Sequence, residues 1–104
     1  FVEGSGEGDL AAGEVELAIV PRAGTAQKLY CHLATAPGGA DTVVITARKN
    51  AADQALTCTI TGAATACNDT SNTFAVSAAD RLSMKLASSA ATAASISCTF
   101  EVVN

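Results

Sequence analysis

Alternation of apolar and polar residues over short runs is the feature of this sequence that most constrains its fold. In one such run, Val15, Leu17 and Ile19 alternate with Glu16 and Ala18. Successive side chains of a β-strand point to opposite faces, so a period of two predicts strands that bury one face and expose the other. The pattern recurs between turn residues and predicts eight strands, within residues 1–4, 15–20, 26–34, 41–48, 56–60, 74–76, 82–86 and 96–102.

Short strands at this spacing predict an all-β fold. The expected architecture is an antiparallel two-sheet sandwich of about eight short strands, with jelly-roll or immunoglobulin-like topology. A chain of 104 residues suits one domain with one core. Hydrophobic residues make up 49% of the chain, but many of them are Ala and Val, so we expect a thin core. Residues 87–94, which are rich in Ala and Ser, are predicted to form a loop with at most one helical turn.

The N-terminal segment differs from the rest of the chain in composition. Its closely spaced glycines predict a flexible, acidic, Gly-rich arm over residues 1–14, followed by a sandwich domain over residues 15–104. Residues 1–20 contain half of the acidic residues and no Lys or Arg. Such a segment either protects a sheet edge from aggregation or faces a partner. The arm is expected to pair with a neighbouring copy through Phe1, Val2, Glu3, Glu7 and Asp9.

Four cysteines, Cys31, Cys58, Cys67 and Cys98, are expected to form disulfides. None of them lies in a Cys-x-x-Cys pair, so the usual zinc-site and thioredoxin spacings are absent. Four cysteines allow three pairings. Cys31 and Cys98 fall on the apolar faces of their strands, while Cys58 and Cys67 flank a short turn that contains Gly62, which favours Cys31–Cys98 with Cys58–Cys67. The alternative is four reduced cysteines that pack as small hydrophobic residues.

Composition argues against several classes of function. A net charge of −4 and only three Phe and one Tyr, with no Trp, disfavour nucleic-acid binding. No apolar run reaches the roughly 20 residues that a membrane span needs. His32 is the single histidine and has no neighbouring carboxylate in the sequence, so neither a catalytic triad nor a histidine metal site is expected. We therefore predict no enzymatic activity, no cofactor and no bound metal.

Two features of the predicted surface bear on binding. Tyr30 and His32 alternate with apolar residues, so both are expected on the outer face of their strand, as candidates for a surface contact. The run Asn68-Asp69-Thr70 matches the N-glycosylation pattern. An Asx-type turn next to Cys67 is the preferred interpretation of that run.

Four segments of the chain are informative when they are read together: Pro21-Arg22-Ala23-Gly24-Thr25 leading into Leu29-Tyr30, Thr46-Ala47-Arg48-Lys49-Asn50, Leu56-Thr57-Cys58-Thr59-Ile60-Thr61-Gly62 and Phe74-Ala75-Val76-Ser77-Ala78-Ala79-Asp80. Together they resemble a β-sandwich module of bacteriophage virion proteins and bacterial surface-fibre proteins. The resemblance spans about residues 15–103 and implies a structural or attachment role, often at the end of a fibre or after collagen-like repeats, with no catalytic residues. Only a short acidic lead precedes the module here, which favours a capsid decoration protein or filament subunit over a fibre tip.

The sequence thus predicts a non-catalytic virion structural protein, either a capsid decoration protein or a tail or fibre component, located in a virion or outside the cell. We expect a homo-oligomer that contacts a capsid, tail or filament neighbour through its sandwich and N-terminal arm. One alternative is a secreted filament or cell-surface subunit that assembles by strand exchange. Another is a carbohydrate-binding module in which Tyr30 stacks on a sugar ring. Neither a nucleic acid nor a membrane is an expected partner.

Overall fold

The computed structural model describes residues 2–9, 14–19, 22–89 and 95–103, and the side chains of residues 22–89 and 96–103. In this part of the chain all regular structure is β-strand, as the alternation predicts, and no helix is present that could cross a membrane. The strands are β1 (Val2–Asp9), β2 (Glu14–Ile19), β3 (Gly24–Leu33), β4 (Thr42–Lys49), β5 (Ala52–Thr61), β6 (Ala66–Asp69), β7 (Phe74–Val76), β8 (Arg81–Ser88) and β9 (Ser95–Val103).

These strands form two antiparallel sheets. Sheet A has the order β1-β9-β3-β6, with β7 also paired to β3, and sheet B has the order β2-β8-β4-β5. The pairs are nested along the chain, because β4 pairs with β5, β3 with β6, β2 with β8 and β1 with β9. One long antiparallel ribbon folded over into two layers is the jelly-roll arrangement. The predicted all-β two-sheet sandwich is therefore confirmed, in the first of its two alternative topologies.

The core lies between the inner faces of the two sheets. Burial alternates along β3, where Leu29 and Leu33 are fully buried and Tyr30 is exposed. Phe100 is the largest fully buried side chain, and its ring centroid lies 6.4 Å from that of Phe74. Burying a side chain of this kind contributes roughly 1.5–3 kcal/mol. The buried apolar residues are Ala26, Leu29, Cys31, Leu33, Val43, Ile45, Ala47, Leu56, Cys58, Ile60, Phe74, Val76, Leu82, Met84, Leu86, Ile96, Cys98, Phe100 and Val102.

The Gly-rich lead is a strand, which corrects the expectation of a flexible connection after residue 4. Val2–Asp9 form β1 and pair with β9 along their whole length, whereas residues 1 and 10–13 lie outside the described part. The composition misleads because glycine favours flexible chain, yet these glycines recur with the period of two that a strand needs. They are register partners of buried residues in β9: Gly4 of Phe100, Gly6 of Cys98 and Gly8 of Ile96.

Two further segments differ from the loops that their composition predicts. Asn68 and Asp69 belong to β6, which pairs with β3 from Leu29 to His32. Asn68 faces outward as the register partner of the exposed Tyr30, whereas Asp69 is buried opposite Leu29. Residues 87 and 88 continue β8, and residues 90–94 lie outside the described part.

Two features of the backbone set the start of β3 and the turn between β4 and β5. A Cβ added to Gly24 would lie 2.6 Å from the carbonyl oxygen of Val103, so β3 begins closer to β9 than any side chain permits. Asn50 and Ala51 join β4 to β5 with φ angles of 51° and 66°. Two successive positive φ angles are the mark of the type I′ hairpin turn, in which Asn is favoured first and Gly second. Ala51 therefore occupies a position suited to glycine.

Candidate functional site

Two disulfides link the strands around the site, in the pairing that the sequence favours. Cys31 and Cys98 face each other in β3 and β9 of sheet A, with a Cα–Cα distance of 4.1 Å. Cys58 in sheet B is bonded to Cys67 in sheet A across 5.8 Å between Cα atoms, and this bond ties the two layers together. No cysteine is free. Disulfides persist in oxidising compartments, so this pairing is compatible with an extracellular or secreted protein.

Asp69 closes the corner where the chain leaves β6, and it ties this corner to β5 of sheet B. One carboxylate oxygen accepts hydrogen bonds from the backbone N–H groups of Ser71 and Asn72, and the other accepts from the Thr57 N–H at 3.0 Å and from the Asn72 amide. Burial raises the pKa of Asp69, but the hydrogen bond from the Asn72 side chain and those from the three backbone N–H groups together lower it from 3.8 to about 2. The Asx-type turn next to Cys67 is therefore present, with Asp69 rather than the exposed Asn68 as its acceptor.

The outer face of sheet A carries the two surface residues that the sequence singles out. We call the outward residues of β3 and β9 around Tyr30 the tyrosine face; they are Lys28, Tyr30, His32, Ser97, Thr99 and Glu101. Tyr30 is 50% exposed, and it is the one large hydrophobic side chain exposed among the described side chains. His32 is exposed beside it, between Ala66 of β6 and Ser97 of β9. The face is therefore apolar at its centre and polar around it.

A bulge in β3 shapes this face. The register between β3 and β9 shifts between Gln27 and Tyr30, and Lys28 has a φ of 58°. Bulges re-aim side chains, and a positive φ at a non-glycine residue is a strained state that the surrounding structure has to hold. The bulge opens a shallow groove of about 130 Å³ lined by Lys28, Tyr30, Thr99, Phe100 and Glu101. No sequence pattern indicates this groove.

Glu101 is the polar centre of the groove. Its Oε1 accepts a hydrogen bond of 2.7 Å from the Gln27 side-chain amide and lies 3.6 Å from the Lys28 ammonium. The Lys28 side chain is 57% exposed, so this ion pair contributes at most about 1 kcal/mol. Glu101 and Gln27 were not singled out by sequence reasoning, because their proximity depends on the bulge.

The predicted arm forms the edge of sheet A next to this face. β1 pairs only with β9, and it brings three acidic residues within eight positions to that edge. Phe1 lies outside the described residues, and of the other arm residues only the backbone is described. Their register partners are Val102 for Val2, Glu101 for Glu3, Ser97 for Glu7 and Ser95 for Asp9.

The outer face of sheet B has a different make-up. We call the outward residues of β4, β5 and β8 around Thr59 the threonine face; they are Thr42, Val44, Thr46, Arg48, Asp53, Thr57, Thr59, Thr61 and Lys85. Asp53 lies 2.9 Å from the Arg48 guanidinium and 2.6 Å from the Lys85 ammonium. The Lys85 hydrogen bond is the largest cause of the lowered pKa of Asp53. Thr46 and Thr57 share a 3.2 Å hydrogen bond between hydroxyls.

No family of known proteins has a model that matches this sequence, and no curated protein is similar to it. The two outer faces and the disulfides are therefore the features that bear on function.

Proposed function

We propose that this protein is a non-catalytic structural component of a virion, and that it assembles with copies of itself through the tyrosine face. The observation that carries the proposal is Tyr30, half exposed at the centre of an otherwise polar sheet face. Tyrosine is enriched among the few residues that dominate the energy of protein interfaces, because it supplies a large rigid contact and one polar group. A second copy would cover this ring.

The charges at the two edges of sheet A favour contact between copies. The β1 edge has three acids within eight residues. At the opposite edge Lys49 donates a hydrogen bond to the Ala75 carbonyl of β7. The Asn50 side-chain amide donates to the Asp80 carboxylate and accepts from the Arg81 backbone N–H. Arg22 precedes the start of β3, where Gly24 pairs with Val76 of β7. This region, which we call the β7 corner, has a net positive charge. It contains three basic residues, Arg22, Lys49 and Arg81, and one acidic residue, Asp80.

Opposite charges on opposite edges suit a head-to-tail contact. The acidic β1 edge of one copy would meet the basic β7 corner of the next. The tyrosine faces of the copies would then turn toward the centre of the assembly, where each Tyr30 ring is covered by a neighbouring copy. A contact of this kind closes into a ring when its rotation divides a full turn. Complementary charge steers such encounters and fixes their orientation, while the buried aromatic residue supplies affinity.

The fold and the disulfides are compatible with a component of an extracellular particle. Jelly-roll sandwiches recur in viral capsid proteins and in lectins, and this likeness is an analogy of architecture. Two disulfides close loops across sequence separations of 67 and 9 residues. Closures of this length contribute roughly 3–4 kcal/mol each in the chain-entropy account, which suits a protein exposed outside the cell.

A second candidate is a filament subunit, and the position of β1 favours it. β1 is an edge strand with one partner, β9. In a strand-exchanged filament, β1 of one copy would pair with β9 of the next in the same register. Electron microscopy of the source particles separates the two, because shells support the first candidate and threads the second.

The assembly proposal is tested by measuring molar mass against concentration by light scattering. Tyr30→Arg is the test variant, and Thr59→Arg is the matched control on the exposed threonine face. We expect an oligomer for the wild type and for Thr59→Arg. For Tyr30→Arg we expect a dissociation constant raised roughly 30-fold or more, as for a residue worth about 2 kcal/mol at an interface.

Two results would contradict the assembly proposal. One is a wild type that remains monomeric at the highest concentration reached. The other is an equal effect of the two arginine substitutions. A glycan array run on the same samples addresses the carbohydrate-binding alternative, since sugar binding by a monomer that Tyr30→Arg abolishes would assign the groove to a sugar instead.

A further inference from the structure

Three of the four cysteine sulfur atoms cluster in the core, and the fourth is bonded to one of them, although the four residues come from four strands. Cys31 lies in β3 between two register partners, Cys98 in β9 and Cys67 in β6. Cys58 approaches from β5 of sheet B. The Sγ atoms of Cys31, Cys58 and Cys67 all lie within 4.8 Å of one another, and the Sγ of Cys98 is bonded to that of Cys31. The two disulfides are therefore in contact.

We propose that these four cysteines bind one soft divalent cation, of which Zn²⁺ is the natural representative, when both disulfides are reduced. In the oxidised protein each Sγ is bonded to another Sγ, so the site exists only in the reduced protein. Opening both disulfides takes four electrons and four protons from a reductant such as a small thiol or a phosphine, and yields four thiols. Binding of the cation then releases up to four protons, because thiolates are the ligands.

The distances suit a thiolate site. Zn–S bonds of about 2.3 Å place the sulfur atoms of a tetrahedral site roughly 3.8 Å apart. The Sγ atoms of Cys31, Cys58 and Cys67 are separated by up to 4.8 Å, and the Sγ of Cys98 is bonded to that of Cys31, so side-chain rotation after reduction brings the four sulfur atoms toward that geometry. Cys31, Cys58 and Cys98 are buried and Cys67 is half-buried, so the site would be shielded from water with an approach at Cys67.

The spacing of the cysteines in the sequence does not argue against this site. Cys-x-x-Cys pairs are needed where one turn supplies two ligands, whereas here each strand supplies one. A chain that is made in a reducing compartment and used outside it passes through both states of these sulfur atoms. In the reducing compartment, the cation would link sheet A to sheet B in place of the Cys58–Cys67 bond. The inference is independent of the proposed assembly.

The test uses the full chain, reduced with a phosphine under anaerobic conditions and titrated with Co²⁺ and then with Zn²⁺. We expect one Co²⁺ per chain, with the charge-transfer and visible absorption bands of tetrahedral thiolate coordination, and displacement by Zn²⁺. With free Zn²⁺ at about 1,000 times its Kd, the Tm of the reduced protein rises by roughly 15–30 °C. The oxidised protein binds neither ion at this site.

A matched pair of variants locates the ligands. Cys31→Ser removes one of the four ligands, so we expect the thiolate charge-transfer band to lose roughly a quarter of its intensity and Co²⁺ to bind more weakly. Met84→Leu leaves the bands unchanged although it alters a buried sulfur-containing side chain. If the reduced chain unfolds without metal, recovery of β-structure on addition of Zn²⁺, followed by circular dichroism, supports the site. Absence of thiolate bands in the reduced wild type, or bands of unchanged intensity in Cys31→Ser, would overturn it.

Discussion

On the threonine face of sheet B, Asp53 is bridged by two cations and Thr46 is hydrogen-bonded to Thr57, so the polar groups satisfy one another within a single copy. On the tyrosine face of sheet A, an aromatic ring is left half exposed beside a groove that a strained bulge opens. Both faces belong to the same sandwich and are formed by antiparallel strands. The threonine face thus completes its polar contacts within one copy, whereas the tyrosine face leaves apolar area uncovered, and this uncovered area is where we propose that a second copy binds.

The two faces keep their relative positions only if sheet A and sheet B stay packed together. The largest expected loss of stability is therefore at Asp69, which joins the two sheets. Asp69→Ala removes four hydrogen bonds and leaves the Thr57 N–H of sheet B without its acceptor. We expect a loss of about 3 kcal/mol in the free energy of unfolding, measured by urea denaturation. Asp80→Ala, which removes an exposed acceptor of two hydrogen bonds, is the control and should cost about 1 kcal/mol or less.

The pH dependence of stability reports the same corner. Because the pKa of Asp69 is about 2 in the folded protein and near 3.8 when unfolded, its contribution to stability is complete above pH 3.8. That contribution is lost as the pH falls through about 2. We expect Tm to fall over this window in the wild type and to fall less steeply in Asp69→Asn. Parallel Tm curves for the two proteins would show that Asp69 does not anchor the corner.

The next largest effect tests the charges that are proposed to orient neighbouring copies. Arg22→Glu reverses one charge of the β7 corner, and Lys85→Glu makes the same change on the threonine face. We expect Arg22→Glu to slow association roughly 10-fold at low salt, and the effect to shrink above physiological ionic strength. Stopped-flow light scattering measures the rate. An equal slowing by Lys85→Glu would mean that net charge alone, and not the β7 corner, controls assembly.

The smallest effect concerns the hairpin at the end of sheet B. Ala51 has a φ of 66°, which costs an L-residue about 1 kcal/mol and costs glycine little. Ala51→Gly should therefore raise the free energy of unfolding by up to about 1 kcal/mol, as measured by thermal denaturation. Since Ala51→Gly fits the existing backbone conformation and changes no charge of the β7 corner, the molar mass of the assembly should stay the same. A change in molar mass without a change in stability would mean that the hairpin takes part in the contact between copies.

Much of this fold follows from the sequence because strand alternation is a local property. Leu29, Cys31 and Leu33 alternate with exposed residues, and the same parity that predicts β3 also favours the Cys31–Cys98 disulfide. Only the start of β1 is predicted, because Gly replaces the apolar residue at its inner positions after residue 3 and the period of two is present there without hydrophobic contrast. β6 escapes prediction because four residues are too few to show a period.

The candidate site is only partly predictable for a different reason. Tyr30 and His32 can be placed on an outer face by counting residues along one strand. The groove beside Tyr30 depends on a bulge at Lys28 and on Glu101, which is 74 residues away from its hydrogen-bond partner Gln27. Contacts between strands so distant in the chain depend on the topology, which alternation alone does not determine.

Tyr30 is the single tyrosine of a chain without tryptophan, so the intrinsic fluorescence of the protein reports directly on the ring at the centre of the tyrosine face. Quenching of this fluorescence by acrylamide shows whether a second copy covers Tyr30. The quenching constant and the molar mass are measured together over a range of protein concentrations. The account predicts that the quenching constant falls several-fold as the oligomer forms, because a second copy covers the ring. A rise in molar mass with no change in quenching would contradict it, since the copies would then meet through another surface.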